Sequence, residues 1–230
     1  MTPTTAQIYL ADQRSCSQTS WFRSFHTFNF GISFQENKKP FGALQLLNDD
    51  TLAAGKSLKM QVDENTEVLI LPLVGGFEYE NNIEQHDFIE TGQLLTFTLK
   101  KGMSYEIINP YETELINFLQ IWIKRNDISS FISKNEIISF NLENKNQLHS
   151  TYTPLSKNAC FIGQFGGREE GEYALKNSKN GVFVFVIEGA FEVANRLLET
   201  RDGIAISNIE TVEFEALSND AILLLLEISP

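Results

Sequence analysis

Short apolar runs rich in β-branched and aromatic residues recur along the whole chain, separated by Gly, Asn, Asp and Pro. The clearest are Glu67-Val-Leu-Ile-Leu-Pro-Leu-Val, Gln93-Leu-Leu-Thr-Phe-Thr-Leu, Phe118-Leu-Gln-Ile-Trp-Ile, Val182-Phe-Val-Phe-Val-Ile and Ala221-Ile-Leu-Leu-Leu-Leu-Glu-Ile. This is strand and turn chemistry, and it predicts an all-β chain with few short helices. Several runs alternate: Gln93, Thr96 and Thr98 interleave with Leu95, Phe97 and Leu99, and Gln120 separates Leu119 from Ile121. Successive side chains of a strand point to opposite faces, so these strands are expected to keep one face wet. The best helix candidate is Asp127 to Ser133, with Asp127 as its cap and Ile128, Phe131 and Ile132 on one side.

An internal repeat groups the strands. Val74-Gly-Gly-Phe-Glu-Tyr followed by Ile89-Glu-Thr-Gly-Gln-Leu-Leu-Thr-Phe returns as Glu188-Gly-Ala-Phe-Glu-Val followed by Leu198-Glu-Thr-Arg-Asp-Gly-Ile-Ala-Ile-Ser. Pairing Gly75 with Gly189 gives an offset of 189 − 75 = 114, and pairing Gly92 with Gly203 gives 203 − 92 = 111. Each copy reads as a strand ending in glycine, a strand with outward Glu, a turn, and a second glycine that redirects the chain. Periods of about 20–50 residues mark solenoids, whereas this longer one marks duplicated domains. The expected organisation is a first domain over residues 1–125, a linker over 126–150 containing the polar Asn144-Lys-Asn-Gln, and a second domain over 151–230.

Composition narrows the function classes. The 230 residues are 42% hydrophobic, enough to bury a core in each domain, and 18 Lys+Arg against 30 Asp+Glu give a net charge of −12. Phosphate and anionic-lipid surfaces draw on Lys and Arg, and no basic run exists, so direct nucleic-acid or membrane-surface binding is disfavoured. Cys16 and Cys160 fit neither a redox pair nor a zinc knuckle and are read as reduced thiols. The start of the chain lacks signal-peptide character, and no run reaches the roughly 18 apolar residues of a membrane span, so a cytoplasmic location is expected. His26, His86 and His149 are the only histidines and are widely separated, which nearly excludes a histidine-rich metal site.

Longer motifs bring a family into view. Trp21-Phe-Arg-Ser-Phe-His-Thr-Phe-Asn-Phe, Phe41-Gly-Ala-Leu-Gln-Leu-Leu-Asn-Asp-Asp, Ala54-Gly and Leu119-Gln-Ile-Trp-Ile resemble the pattern of pirin-like bicupins. The resemblance covers nearly the whole chain and implies two tandem cupin barrels, in agreement with the duplication. The length is closest to the short bacterial form, which includes quercetin 2,3-dioxygenase-like proteins.

In that family the N-terminal barrel holds a divalent iron through three histidines and a glutamate, from an H-P-H-R-D-M-E segment and a G-x-G-I-x-H-S-E segment. Here the first segment reads Gln61-Val-Asp-Glu-Asn-Thr-Glu67, which places Gln61 and Asp63 at the two histidine positions while Glu67 keeps the register. The second reads Lys100-Lys-Gly-Met-Ser-Tyr-Glu-Ile, which places Tyr105 at the third histidine and Ile107 at the glutamate. Tyr79 stands where the family often has a further histidine. Shifting the second segment by one residue puts Glu106 at the glutamate but Ser104 at the histidine, and loses the glycine match. Gln61, Asp63 and the Tyr105 hydroxyl would suit Mg²⁺ or Ca²⁺ better than iron, and both ions want about six or more oxygens. No iron(II) cofactor is therefore expected.

The other polar features read more plainly. His26, amid Phe25, Phe28 and Phe30, is expected to be a packed, hydrogen-bonded structural residue. His86 belongs to an acidic hairpin and His149 to the linker surface. Gly166-Gly-Arg-Glu-Glu-Gly171 has no following Lys-Ser/Thr and is read as a hairpin turn rather than a phosphate loop. The leading functional expectation is a non-catalytic small-ligand-binding or regulatory protein whose pocket candidates are Gln61, Asp63, Tyr105 and Ile107, with Glu67 and Tyr79 as neighbours. The alternatives are a quercetin 2,3-dioxygenase-like oxidoreductase, or a metal-independent enzyme with Asp63 or Glu67 as acid/base and Tyr105 as donor. The sequence names no protein partner.

Overall fold

The computed structural model of the chain describes residues 3–31, 35–81, 86–126, 135–152 and 158–230. It divides into two compact units, one formed by Met1–Arg14 with Asn141–Pro230 and the other by Ser15–Phe140.

The Ser15–Phe140 unit holds β2 (Ser15–Gln18), β3 (Phe22–His26), β4 (Leu44–Leu52), β5 (Ser57–Gln61), β6 (Thr66–Val74), β7 (Phe77–Asn81), β8 (His86–Ile89), β9 (Gln93–Leu99), β10 (Ser104–Ile108), β11 (Ile116–Lys124) and β12 (Glu136–Ser139). They form a seven-stranded sheet in the order β12-β9-β6-β11-β4-β3-β2 and a four-stranded sheet in the order β5-β10-β7-β8. Every pairing is antiparallel, and Val68, Ile70, Phe77, Tyr79, Phe97, Ile107 and Phe118 share one buried core between the sheets.

The other unit opens with β1 (Thr5–Tyr9) and continues with β13 (His149–Tyr152), β14 (Ala159–Phe165), β15 (Glu170–Ala174), β16 (Gly181–Glu188), β17 (Phe191–Val193), β18 (Arg196–Leu198), β19 (Gly203–Ser207), β20 (Thr211–Ala216) and β21 (Ala221–Ile228). Its sheets run β1-β19-β16-β21-β14-β13 and β15-β20-β17-β18. The central orders β9-β6-β11-β4 and β19-β16-β21-β14 correspond strand for strand, as do the two four-stranded sheets. The duplication legible in the sequence is thus present as two copies of one cupin-type sandwich.

The repeat glycines show why the copies match. Gly75 and Gly189 both have positive φ, +72° and +78°, and a Cβ at either would come within 3 Å of a side-chain atom, of Ile116 and of Ser218 respectively. Only glycine combines that backbone with that close approach. The second pairing needs revision: Gly92 has φ +85°, but in the other copy the positive φ falls on Arg201, at 71°, while Gly203 has entered β19.

The expected boundaries of 1–125, 126–150 and 151–230 differ from those found. β12 extends the first unit into the expected linker, β13 begins the second before residue 151, and Thr5–Tyr9 joins the second unit although it lies at the chain's other end. The reason lies in sheet edges: β9 and β19 each need a partner on the outer side, which β12 supplies to one and β1 to the other. Asp127 to Ser133, the helix candidate, lies outside the described residues.

β1 is tied down beyond its pairing. Tyr9 packs against Phe183 at 5.6 Å, and the Asp202 carboxylate accepts the Ala11 N–H at 2.7 Å and the Glu199 N–H at 3.0 Å. An Asp202→Ala variant leaves both amides without that acceptor and is expected to cost about 1–3 kcal/mol in urea unfolding of the intact chain.

Candidate functional site

The inner face of the first unit's large sheet carries polar residues in rows. Ser24 on β3, Asp50 on β4 and Phe118 on β11 stand opposite one another, and the next row holds His26, Asn48 and Gln120. From the facing sheet Tyr105 on β10 projects into the same core, beside Phe97 at 5.2 Å and Tyr79 at 6.4 Å between ring centres. Asp50 and Gln120 are fully buried and Tyr105 is 1% exposed, so their polar atoms must find partners inside the barrel.

They find one another. The Trp122 Nε1–H donates to the Tyr105 hydroxyl at 2.9 Å, that hydroxyl donates to Gln120 Oε1 at 2.5 Å, and the Gln120 amide donates in turn to Asp50 Oδ2. An indole N–H can only donate, so the direction of the whole series is fixed towards the carboxyl group. Beyond Asp50 the polar row continues through Ser24 to His26, whose Nδ1 bonds Asn48 Oδ1 at 3.0 Å and whose Nε2 bonds Ser17 Oγ at 2.9 Å. His26 is therefore the packed structural histidine expected from its aromatic surroundings.

Burial sets the ionisation of this chain. Asp50 is pushed up to about 7, first by desolvation; hydrogen bonds from Ser24 and Gln120 oppose the shift, and the charge of Asp49 adds to it. Asp49 itself faces the other way and accepts the Asn117 amide at 2.8 Å. Burial likewise raises the Tyr105 phenol well above its ordinary value, opposed by the Trp122 hydrogen bond and reinforced by Asp50 and Tyr79. Tyr105 therefore stays a neutral donor, and the Tyr79 hydroxyl, raised by the same cause, accepts the Asn81 amide at 3.1 Å.

The pocket candidates named from the sequence separate into three places. Tyr105, Ile107 and Tyr79 meet in the barrel core, with Ile107 opposite Tyr79 in the sheet. Gln61 and Asp63 do not join them. In the β5–β10 pairing Met60 lies opposite Tyr105 and Gln61 opposite Ser104, so Met60 and Val62 face inward while Gln61 is exposed and donates to the Gly102 carbonyl at 2.8 Å. Gln61 and Asp63 border instead a cavity of about 520 Å³ between the ends of β4, β5, β6 and β11, with Leu46, Met60 and Trp122 on its wall. Glu67 lies on the face of β6 opposite to Val68, buried beside Arg125 at 3.4 Å.

Sequence reading missed Asp50, Gln120 and Trp122 as site residues. The signal was present: Asn48 and Asp50 alternate within the apolar strand β4, and Gln120 interrupts β11. The expectation of a wet face was wrong for Gln120 and Thr96, because the central strands are buried on both sides; Leu119 and Ile121 are as inaccessible as Gln120.

Residues 9–123 match the pirin family, and residues 156–228 match the quercetinase C-terminal cupin domain. The chain belongs to the pirin family. It is 30% identical over 118 residues to quercetin 2,3-dioxygenase of Escherichia coli strain K12, an alignment covering 50% of this chain and 51% of that protein, so it spans about half the length of this curated relative. Among solved structures, YhhW of Escherichia coli superimposes with a TM-score of 0.87 at 20% identity, covering 98% of each chain. Its complex with nickel(II) superimposes with a TM-score of 0.86, also at 20% identity, over 98% of this chain and all of that one.

Set against the pirin pattern, the donors present here do not fit a histidine and carboxylate iron centre. The Tyr105 hydroxyl is engaged on both sides, Ile107 offers no donor atom, and Gln61 points away from the core. Among the described residues no group of three or more His, Cys, Asp or Glu side chains is arranged to hold a metal ion.

Two outcomes follow for stability. Tyr105→Phe leaves Gln120 Oε1 without its donor in the core and removes the acceptor of the half-buried Trp122 N–H, and is expected to cost about 1–3 kcal/mol in chemical denaturation. Because the folded state raises the Asp50 carboxyl from 3.8 to about 7, its contribution to stability is full below about pH 4 and is lost as pH rises towards 7. Asp50→Asn, which keeps the shape and cannot ionise, should remove that loss, on the order of a few kcal/mol in the difference between the two unfolding curves across this range.

Proposed function

We propose that this pirin binds a small molecule in the cavity at the open end of its first barrel and does not carry out the iron-dependent chemistry of its family. The observation that supports this reading is the engagement of Tyr105. At a position where the family pattern has a ligating histidine, a neutral phenol stands, its proton committed to Gln120 and its oxygen accepting from Trp122 within one hydrogen-bonded series. The neighbouring glutamate position is filled by the apolar Ile107, packed in the same core. No iron(II) cofactor is part of the proposal.

The cavity itself suits a small ligand. At about 520 Å³ it lies within the range of roughly 300–1,000 Å³ common for such sites. Leu46, Met60 and Trp122 supply apolar wall, while Lys59, Gln61 and Asp63 give a polar rim able to orient a bound molecule. The acidic net charge and the lack of a basic run disfavour direct nucleic-acid contact, so a regulatory role would pass through the ligand or a protein partner. Among the described residues no helix is long and apolar enough to cross a membrane, and the setting we propose is cytoplasmic.

A quercetin 2,3-dioxygenase-like activity is the competing reading, favoured by the likeness to the Escherichia coli enzyme over half its length. Metal analysis of protein purified without chelators, together with quercetin turnover in the presence of added iron(II) or nickel(II), decides between them. Substoichiometric metal and no turnover are expected; a stoichiometric metal accompanied by turnover would establish the enzyme reading instead.

A further inference from the structure

The series that begins on the cavity wall at Trp122 ends on a carboxyl group sealed in the core, and its links all run one way. Trp122 donates to Tyr105, Tyr105 to Gln120, and Gln120 to Asp50 Oδ2. The other carboxyl oxygen, Oδ1, is equally sealed from solvent. We propose that this series makes the cavity proton-responsive, with gain or loss of a proton at Asp50 relayed through Gln120 and Tyr105 to Trp122. The inference deepens the binding reading by naming a regulation of the same cavity.

The physical basis is the polarity of the links. When Asp50 is ionised, a full negative charge sits at the accepting end, each donor upstream is drawn towards it, and hydrogen bonds in series polarise one another in a low dielectric. When Asp50 is neutral that pull is gone, and Trp122 can settle outward against the cavity. The groups facing Asp50 are Ser24 from β3, Phe118 and Gln120 from β11 and Tyr105 from β10, with Asp49 beside it on β4 and His26 one step beyond Ser24. Tyr105 is held neutral by burial and Asp49 is turned to the opposite face, which leaves Asp50 and His26 as the groups able to change charge near neutrality. That the desolvated carboxyl is raised to about 7 places its titration in a useful range.

The test reads Trp122 directly. In a Trp21→Phe background Trp122 is the only tryptophan, and its emission is followed from about pH 5 to 9, a range that spans both candidate groups. One titration step is expected, and it should vanish on adding Asp50→Asn. The step should also vanish with Tyr105→Phe, while carboxyl ¹³C resonances show Asp50 still titrating, which separates a broken relay from a lost proton site and covers the case of an unfolded Asp50→Asn protein. A flat profile in the Trp21→Phe protein, a step that survives Asp50→Asn and so belongs to His26, or one that survives Tyr105→Phe would each overturn the proposal. No ligand is used, so a failure to find a bound molecule would count against the binding reading alone.

Discussion

A polar side chain on the inner face of a closed β-sandwich has no water to turn to, and the first barrel is arranged around that constraint. Asp50 and Gln120 could not be buried singly without a desolvation cost of about 1–3 kcal/mol or more each. Placed in adjacent rows of neighbouring strands, they reach each other, and Tyr105 and Trp122 complete the series from the opposite sheet and the strand end. The surrounding Tyr79, Phe97, Ile107 and Phe118 exclude solvent and so make the arrangement obligatory. A network of this kind strengthens when complete and is costly when interrupted.

The second copy supplies an internal comparison. Following the strand registers with Val184 in place of Ile70, Gln120 corresponds to Leu225, Asn48 to Phe161 and Asp50 to Gly163. By the same reasoning on the smaller sheet, Tyr105 corresponds to Val212 and Ile107 to Phe214. At these positions the second interior is apolar, with Val184, Leu223 and Leu225 in its core, and its own buried polar group, Glu227, lies further along β21, where it accepts from Tyr173, Asn180 and the Lys176 and Asn177 amides. One fold has accepted both solutions, so the polar chain is not required to form the sandwich. What sets the first copy apart is that its polar series runs from the centre of the sandwich to the wall of a cavity.

Much of the fold was legible because β-branched and aromatic runs broken by glycine leave little alternative to strands, and the repeat reported two copies directly. The site was legible only in part. Gln61 and Asp63 were placed by their spacing from Glu67, yet which side chains enter a barrel is decided by strand parity, and Met60 and Val62 hold the inward parity of β5. Alternation at Gln120 was read correctly as a change of face, but period two says nothing about which face is wet when both are buried. Nor does any local pattern in Thr5–Tyr9 announce that its partner lies beyond a whole domain.

That pairing bears on how the protein is made. Thr5 lies opposite Ser207 and Tyr9 opposite Gly203. On the ribosome β1 emerges well before β19 exists, and the entire Ser15–Phe140 unit is synthesised in between. The first unit can close while translation continues, whereas the second must wait for its remaining strands and then recover a segment made long before. Such a long-range closure is slow compared with hairpin formation and leaves an unpaired edge exposed meanwhile. The two copies of one sandwich therefore differ in what their assembly requires, the first only strands made in one stretch of chain and the second a segment made a whole domain earlier.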